Sequence, residues 1–297
     1  MNNPLRIALE TKRRAGELGF DLCGIAEAAN IDPTDRLGAW LARGYQAGMG
    51  WMERTKAVRH DVREKLPGAR SVVVVARNYY AGERPALRDG EGKVARYAWG
   101  RDYHDVLRGP LEALATFIKE QSPGAQCYCC VDSAPVMEKA WAVRAGIGWQ
   151  GKNGLILNQE LGSWFVLGAI VTTAELAADA PLEDGCGACR RCLEACPTGA
   201  IVEPGVVDAG RCISYWTVEA KEPAGVDTHG WAFGCDVCQE VCPWNGGVTD
   251  ASATDFVGEN RNLDISQLLE IGEEALRRRY GGSAIWRMLR GRLKRRS

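Results

Sequence analysis

Long apolar runs are missing from this chain. Its longest such stretch, Trp164–Val171, falls far short of the roughly 18 residues a membrane span needs, so no membrane partner is expected. The first residues, MNNPLRIALETKRRAGEL, have neither an apolar core nor a small-residue cleavage site and do not read as a signal peptide. Its glycine-rich stretches lack both the P-loop spacing G-x4-G-K-[ST] and the dinucleotide fingerprint G-x-G-x-x-G, which leaves nucleotide binding without a motif. Internal repeats are lacking too, apart from two arcs of cysteine. With 12 cysteines in 297 residues, the chain also falls below the ~8–10% of a disulfide scaffold.

What is present suits a folded chain of about two domains. Hydrophobic residues make up 46% and charged residues 25%, enough for a core and too apolar for disorder. The 35 glycines, well above the usual ~7%, point to tight turns or close backbone approaches to a ligand. Eight of the 12 cysteines crowd between Cys186 and Cys242, which indicates a metal-binding segment and a reducing, cytoplasmic setting. The net charge of −1 hides an asymmetry: residues 277–297 carry nine basic side chains, from Arg277 to Arg296, and no acid. Such a run reads either as a solvated or frayed terminus or as a surface for a polyanion.

Periodicity predicts helices at Leu5–Leu18, Trp40–Tyr45, Tyr103–Gln121 and Pro135–Ala145, with Pro110 disturbing the start of the third. Strands are expected at Asp21–Ala26, Ser71–Ala76, Cys127–Val131 and Ser163–Thr172, and SVVVVA reads as a buried central strand. Residues 1–180 form an α/β or α+β domain on this reading, and residues 181–247 a cysteine-rich one. Residues 248–297 would be a polar linker and two short helices, near Ser266–Arg279 and Ser283–Lys294.

The first cysteine arc, Cys186-x2-Cys189-x2-Cys192-x3-Cys196-Pro197, matches the bacterial ferredoxin run C-x2-C-x2-C-x3-C-P in every spacing. The second places Cys212 upstream of Cys235-x2-Cys238-x3-Cys242-Pro243. In such folds the fourth cysteine of each run ligates the other cluster. Cys186, Cys189, Cys192 and Cys242 are thus expected around one [4Fe-4S] cluster, and Cys196, Cys212, Cys235 and Cys238 around a second. Four-thiolate zinc is the alternative, but a zinc ribbon needs no pair of C-x3-C-P endings. Cys23, Cys127, Cys129 and Cys130 read as packed strand thiols, with Cys127 and Cys129 on one face and Cys130 on the other.

Three polar clusters interrupt the apolar strands: RYAWGRDYH, VDSAPVMEK and GIGWQGKNGLILN. Asp132 ends a strand and precedes Ser133-Ala134-Pro135, so position alone favours a helix cap. A carboxyl in apolar surroundings would instead have its pKa raised and could serve as an acid near pH 7. Asp102 and His104 begin a D-x-H-x-x-G corrinoid motif, but Leu107 occupies the glycine position, and both could be ordinary helix-start residues.

The segments RYAWGRDYHDVLR, VDSAPVMEKAWAVRAGIGWQGKNGLIL, CGACRRCLEACPTGAI, RCISYWT and GCDVCQEVCPW closely resemble the epoxyqueuosine reductase family, from about residue 5 to 245. That resemblance implies an α+β fold: a nitroreductase-like cobalamin-binding domain, a ferredoxin-like module with two [4Fe-4S] clusters, and a short C-terminal helical segment. It implies cobalamin as cofactor and Asp132 as proton donor. It places Arg59, Ala95, Arg96, Tyr97, Lys152, Asn153, Ile156 and Leu167 around the corrin, and Ser214 and Asp236 where corrin and nearer cluster meet. The implied activity is reduction of epoxyqueuosine in tRNA to queuosine with loss of water, in a cytoplasmic, monomeric enzyme fed by an external one-electron donor. The family's C-terminal HEAT-type repeats are not recognisable here, so the basic tail is the expected source of phosphate contacts. A reductive dehalogenase-like enzyme of a small molecule and a ferredoxin-type electron carrier are the alternatives.

Overall fold

The computed structural model describes residues 3–221, 225–252, 254–265, 268 and 271–293. Helix α1 (Pro4–Glu17), capped by the Asn3 side chain, leads into strand β1 (Leu22–Glu27). Short helices α2 (Arg36–Ala42), α3 (Trp51–Arg54) and α4 (Lys56–His60) follow, then strands β2 (Ser71–Asn78) and β3 (Glu91–Val94). The long helix α5 (Tyr103–Gln121), strand β4 (Cys127–Cys130) and helix α6 (Glu138–Arg144) come next, then strands β5 (Trp149–Gln150), β6 (Ile156–Leu157) and β7 (Phe165–Thr172). The cysteine-rich segment holds α7 (Arg191–Ala195), β8 (Ile201–Glu203), β9 (Val206–Val207), β10 (Trp231–Phe233) and α8 (Val237–Glu240). Strand β11 (Asn262–Asp264) and the helices Glu273–Tyr280 and Ala284–Leu293 complete the described chain. No helix among the described residues is long and apolar enough to cross a membrane.

The central sheet has the order β1-β2-β7-β4 and is antiparallel throughout, which makes this an α+β fold. Strand β2 is apolar on both faces because both are covered. Val73 and Val75 pack with α1 and α5, while Val72, Val74 and Ala76 pack toward α6. Each such valine contributes about 1.5–3 kcal/mol by leaving water. Cys127 and Cys129 lie on the α5 side and Cys130 on the α6 side, following strand alternation.

Three local expectations are corrected. Helix α2 stops at Ala42, ahead of Gly44, whose φ of +71° is a glycine conformation. Helix α5 runs unbroken from Tyr103, with Pro110 in its interior rather than at its start. Helix α6 begins at Glu138, three residues beyond Pro135, with the non-helical Met137 (φ −90°, ψ 70°) as its N-cap. Residues 131–137 therefore form a loop.

A second sheet, β10-β3-β11, joins three segments far apart in sequence. Strand β3 pairs in parallel with β10 and antiparallel with β11. The described residues of the polar stretch 246–260 pack against the first 180 residues instead of standing free. Phe256 is fully buried in the α1–α5 core, and Asp255 bonds Arg77 and Arg101. The two C-terminal helices bury Leu276, Tyr280, Ala284 and Ile285 with Trp99 and Phe233.

Candidate active site and cluster segment

The structure gathers the eight clustered cysteines into two groups. Cys186, Cys189, Cys192 and Cys242 line one cavity with Lys152, Asn153, Leu157 and Trp244. Cys196, Cys212, Cys235 and Cys238 lie within electrostatic reach of one another. A single zinc would draw its thiolates close together, with Zn–S bonds of ~2.3 Å. Among the described residues no three cysteine sulfurs converge within 4.8 Å, as they would around one ion. Backbone N–H groups point at the sulfurs: Ala200 N donates to Cys196 Sγ at 3.2 Å, and the amides of Ser214 and Tyr215 approach Cys212. Burial pushes the Cys235 thiol up to about 12, so its thiolate needs a cation, and a coordinating metal deprotonates a thiol outright. This donor set fits two thiolate-held clusters.

Asp132 sits at φ +54°, a left-handed conformation costing on the order of 1–3 kcal/mol outside glycine. It caps no helix, since α6 begins six residues later without a side-chain cap. Its Oδ2 accepts from Tyr103 Oη at 2.8 Å and lies 3.4 Å from His104 Nε2. Burial would raise its pKa, but the His104 and Tyr103 bonds outweigh burial and hold the carboxyl below its ordinary range. The expected raised pKa is thereby corrected: hydrogen bonding to the ionised form wins over desolvation.

Asp132 opens on a cleft. Its side chain is 64% exposed, yet Arg59, Tyr97, Tyr103, Glu138, Lys139 and Glu219 all lie within its electrostatic reach. Lys139 also feels Cys212 and Cys238, so its charge couples the Asp132 loop to the second cysteine group. Glu138 Oε1 is buried without a hydrogen-bond partner, and burial raises this carboxyl to about 7. The exposed Asp132 carboxylate, with Tyr97, Tyr103 and the raised Glu138 carboxyl beside it, fits the polar edge of a large cofactor.

The remaining candidates fall into three places. Arg59, half-buried on α4, bonds Thr55 Oγ1 through Nε and faces the cleft. Ala95 is buried and bonds Phe233 O through its amide, while Tyr97 stacks edge-on to Tyr103 at 5.9 Å. Arg96 and Asp236 are buried against each other, so their charged groups are satisfied within the protein. Lys152 Nζ donates to the carbonyls of Gly187 and Cys189, across the first cysteine loop. Asn153 Nδ2 reaches Cys238 O at 3.4 Å. Ile156 and Leu167 pack with the α6-side core, and Ser214 opens the π-helical turn Tyr215–Glu219.

Four polar residues of this neighbourhood were not singled out from sequence: Tyr103, Glu138, Lys139 and Arg287. The string Asp102-Tyr103-His104 carried part of the signal. Asp102 does cap α5, and it also bonds His104 Nδ1 at 2.7 Å and Arg287 Nε at 2.6 Å. Arg287 comes from the C-terminal helix, which no local pattern connects to residue 102.

Comparison with known proteins matches two segments of the chain. Residues 59–133 match the family described as "Epoxyqueuosine reductase QueG, DUF1730", and residues 185–245 match the "4Fe-4S double cluster binding domain". The epoxyqueuosine reductase of Synechocystis sp. is 44% identical over 279 residues, covering 91% of this chain and 96% of that protein. A crystal structure of epoxyqueuosine reductase with an epoxyqueuosine-modified tRNA-Tyr stem loop superposes with a TM-score of 0.87. It is 33% identical and covers 95% of this chain and 77% of that one. A catabolic reductive dehalogenase shares the fold at 17% identity, with a TM-score of 0.51 over 84% of this chain and 33% of its own. Fold and site define an iron–sulfur oxidoreductase with a double-cluster module beside a second cofactor cleft. The chain belongs to the epoxyqueuosine reductase family.

Proposed function

We propose that this protein reduces epoxyqueuosine in tRNA to queuosine, releasing the epoxide oxygen as water. The observation that carries the reading is Asp132, held by Tyr103 and His104, with Lys139 within electrostatic reach of both it and the second-group thiols Cys212 and Cys238. Cys186, Cys189, Cys192 and Cys242 would hold one [4Fe-4S] cluster, and Cys196, Cys212, Cys235 and Cys238 the other. Cobalamin in the cleft, reduced one electron at a time through these clusters, would supply the low-valent metal chemistry that opens the epoxide. Arg59, the Ala95–Tyr97 edge, Asn153, Ile156 and Leu167 would bound it, and the Ser214 and Asp236 segments would bring it close to the nearer cluster. Lys152 would fix the first cluster loop through the two carbonyls it bonds.

The chain's own contribution is placement and protons. Asp132 protonates the departing oxygen, and Tyr103 orients its carboxyl. Base recognition in the cleft combines with phosphate contacts outside it. The exposed Arg277 and Arg290 of the C-terminal helices are suited to such contacts. An external one-electron donor, a monomeric state and a cytoplasmic setting complete the reading. Anaerobic reconstitution with iron, sulfide and cobalamin, followed by nucleoside analysis of the tRNA, tests it. Epoxyqueuosine should be lost only when clusters, cobalamin and reductant are all supplied; loss without cobalamin would refute the assignment.

A further inference from the structure

Removing an epoxide oxygen as water takes two electrons and two protons, and the following inference rests on the proposed reduction. Both carbon–oxygen bonds break, the electrons close the ring double bond, and the oxygen leaves carrying both protons. A single ionised aspartate must therefore be recharged within each turnover. The group placed to do so is His104, whose Nε2 lies 3.4 Å from Asp132 Oδ2. Behind it the contacts continue outward. His104 Nδ1 is 2.7 Å from Asp102 Oδ1, and Arg287 Nε donates to Asp102 Oδ2 at 2.6 Å. The backbone joins in, since Asp102 N donates to Gly282 O at 2.7 Å between the two C-terminal helices.

We propose that His104 returns protons to Asp132, and that Asp102 and Arg287 are positioning residues: Asp102 keeps His104 charged, and Arg287 holds the Asp102 carboxylate so that His104 stays aimed at Asp132. In each transfer the His104 Nε2–H bond breaks and a proton bonds Asp132 Oδ2. The Asp132 O–H bond then breaks toward the substrate oxygen, and His104 takes its next proton from water. Depth separates the members of the chain: His104 and Asp102 side chains are 8% and 4% exposed, Arg287 39%.

The surrounding charges agree with this division. Burial disfavours the His104 imidazolium, but its bonds to Asp102 and Asp132 outweigh burial and the repulsion of Arg287, so its pKa lies above the ordinary value. Asp132 is held low by the same contact. Glu219, from the π-helical turn, adds a further acid within reach of His104. Tyr103 stacks on the imidazole at 4.1 Å, Lys139 lies across the cleft from Asp132, and Asp105 sits 3.9 Å from Arg287 Nη2. The proton thus rests on His104 between turnovers, and activity is lost as pH rises through the His104 pKa.

Two variants of the holoenzyme test this. Asp102→Asn keeps the helix cap but removes the charge, and Arg287→Gln releases the carboxylate from its outer partner. The chain has three histidines, so nitrogen-15 histidine NMR of oxidised holoenzyme can follow the His104 titration separately from any turnover. Asp102→Asn should lower the His104 pKa by about one unit or more and move the alkaline limb of the single-turnover rate down with it. Arg287→Gln should cut the maximal rate severalfold while leaving the stem-loop KM and its salt dependence unchanged. An unmoved His104 titration in Asp102→Asn overturns the proposal, as does a raised KM with full kcat in Arg287→Gln, which would make that arginine a phosphate contact. If either variant loses its clusters or cobalamin, the other decides. If wild-type enzyme leaves the epoxide intact, the reduction itself fails, and the NMR arm still judges whether Asp102 holds His104 charged.

Discussion

Arg96 and Asp236 meet with almost no contact with water. Asp236 Oδ2 accepts from the Arg96 amide at 2.9 Å and from its Nη1 at 3.2 Å, and Arg84 Nη2 donates to the same oxygen at 2.8 Å. Asp236 follows Cys235, and Arg96 follows strand β3, so the pair ties the second cysteine group to the first part of the chain. Arg96 continues to Glu240 at 2.7 Å and lies over the Trp164 ring.

Breaking that pair should be costly. Arg96→Met leaves the buried Asp236 with Arg84 as its one remaining cation, and removing one partner of a buried pair costs up to about 3–5 kcal/mol. Thermal unfolding of cluster-loaded protein should show a drop of several degrees or more and faster loss of cluster absorbance. The exposed pair Arg43–Glu203 is the comparison, and its removal should leave unfolding unchanged.

The two cysteine groups predict an uneven response to single substitutions. Reconstituted wild-type protein should carry about eight iron and eight sulfide. Cys196 precedes Pro197 at the end of the first arc but stands with Cys212, Cys235 and Cys238. Cys196→Ala should therefore damage the second cluster and leave the signal of the first. Iron analysis with Mössbauer spectra checks this, and equal loss of both clusters would contradict the grouping.

Asp132→Asn retains size and shape, and no helix depends on this residue as a cap. Folding and cobalamin binding should survive, while epoxide reduction falls by roughly two orders of magnitude or more. Turnover close to wild type at normal cofactor loading would remove Asp132 from the reaction.

Glu138 gives the cleft a pH signature. Its carboxyl rises from 4.5 to about 7 on folding because of burial. Between those values the folded state holds a proton that the unfolded state releases. Its contribution is full below about 4.5 and is lost as pH climbs toward 7, on the order of 1–3 kcal/mol. Denaturation of cobalamin-free, cluster-loaded protein should show this decline, and Glu138→Gln should flatten it.

Much of the architecture was legible because it is periodic. SVVVVA became the buried β2, and the spacing of Tyr103–Gln121 became α5 residue for residue. The cysteine arcs were legible because ligand spacing is local. Features set by distant contacts were not. From position alone Asp132 favoured a cap over the proton donor that the resemblance implied, because the left-handed turn at 132 and the late start of α6 leave no sequence pattern. Its pKa was misjudged because burial was visible in the apolar strand, whereas the bonds from Tyr103 and His104 cross 29 and 28 positions. The segment 246–260 read as a linker because one buried side chain, Phe256, and several backbone bonds anchor it. The basic tail read as either a solvated terminus or a surface for a polyanion, yet Arg278 bonds Glu274 and Arg287 bonds Asp102.

The central claim is a two-electron reduction of the epoxide at the Asp132 cleft. The most direct measurement is an anaerobic reductive titration of holoenzyme with an epoxyqueuosine-bearing stem loop, scoring queuosine formed against electrons delivered. One queuosine for every two electrons, abolished by omitting cobalamin and strongly slowed by Asp132→Asn, is the predicted result. Reduction of clusters and cobalamin with the epoxide untouched would contradict it.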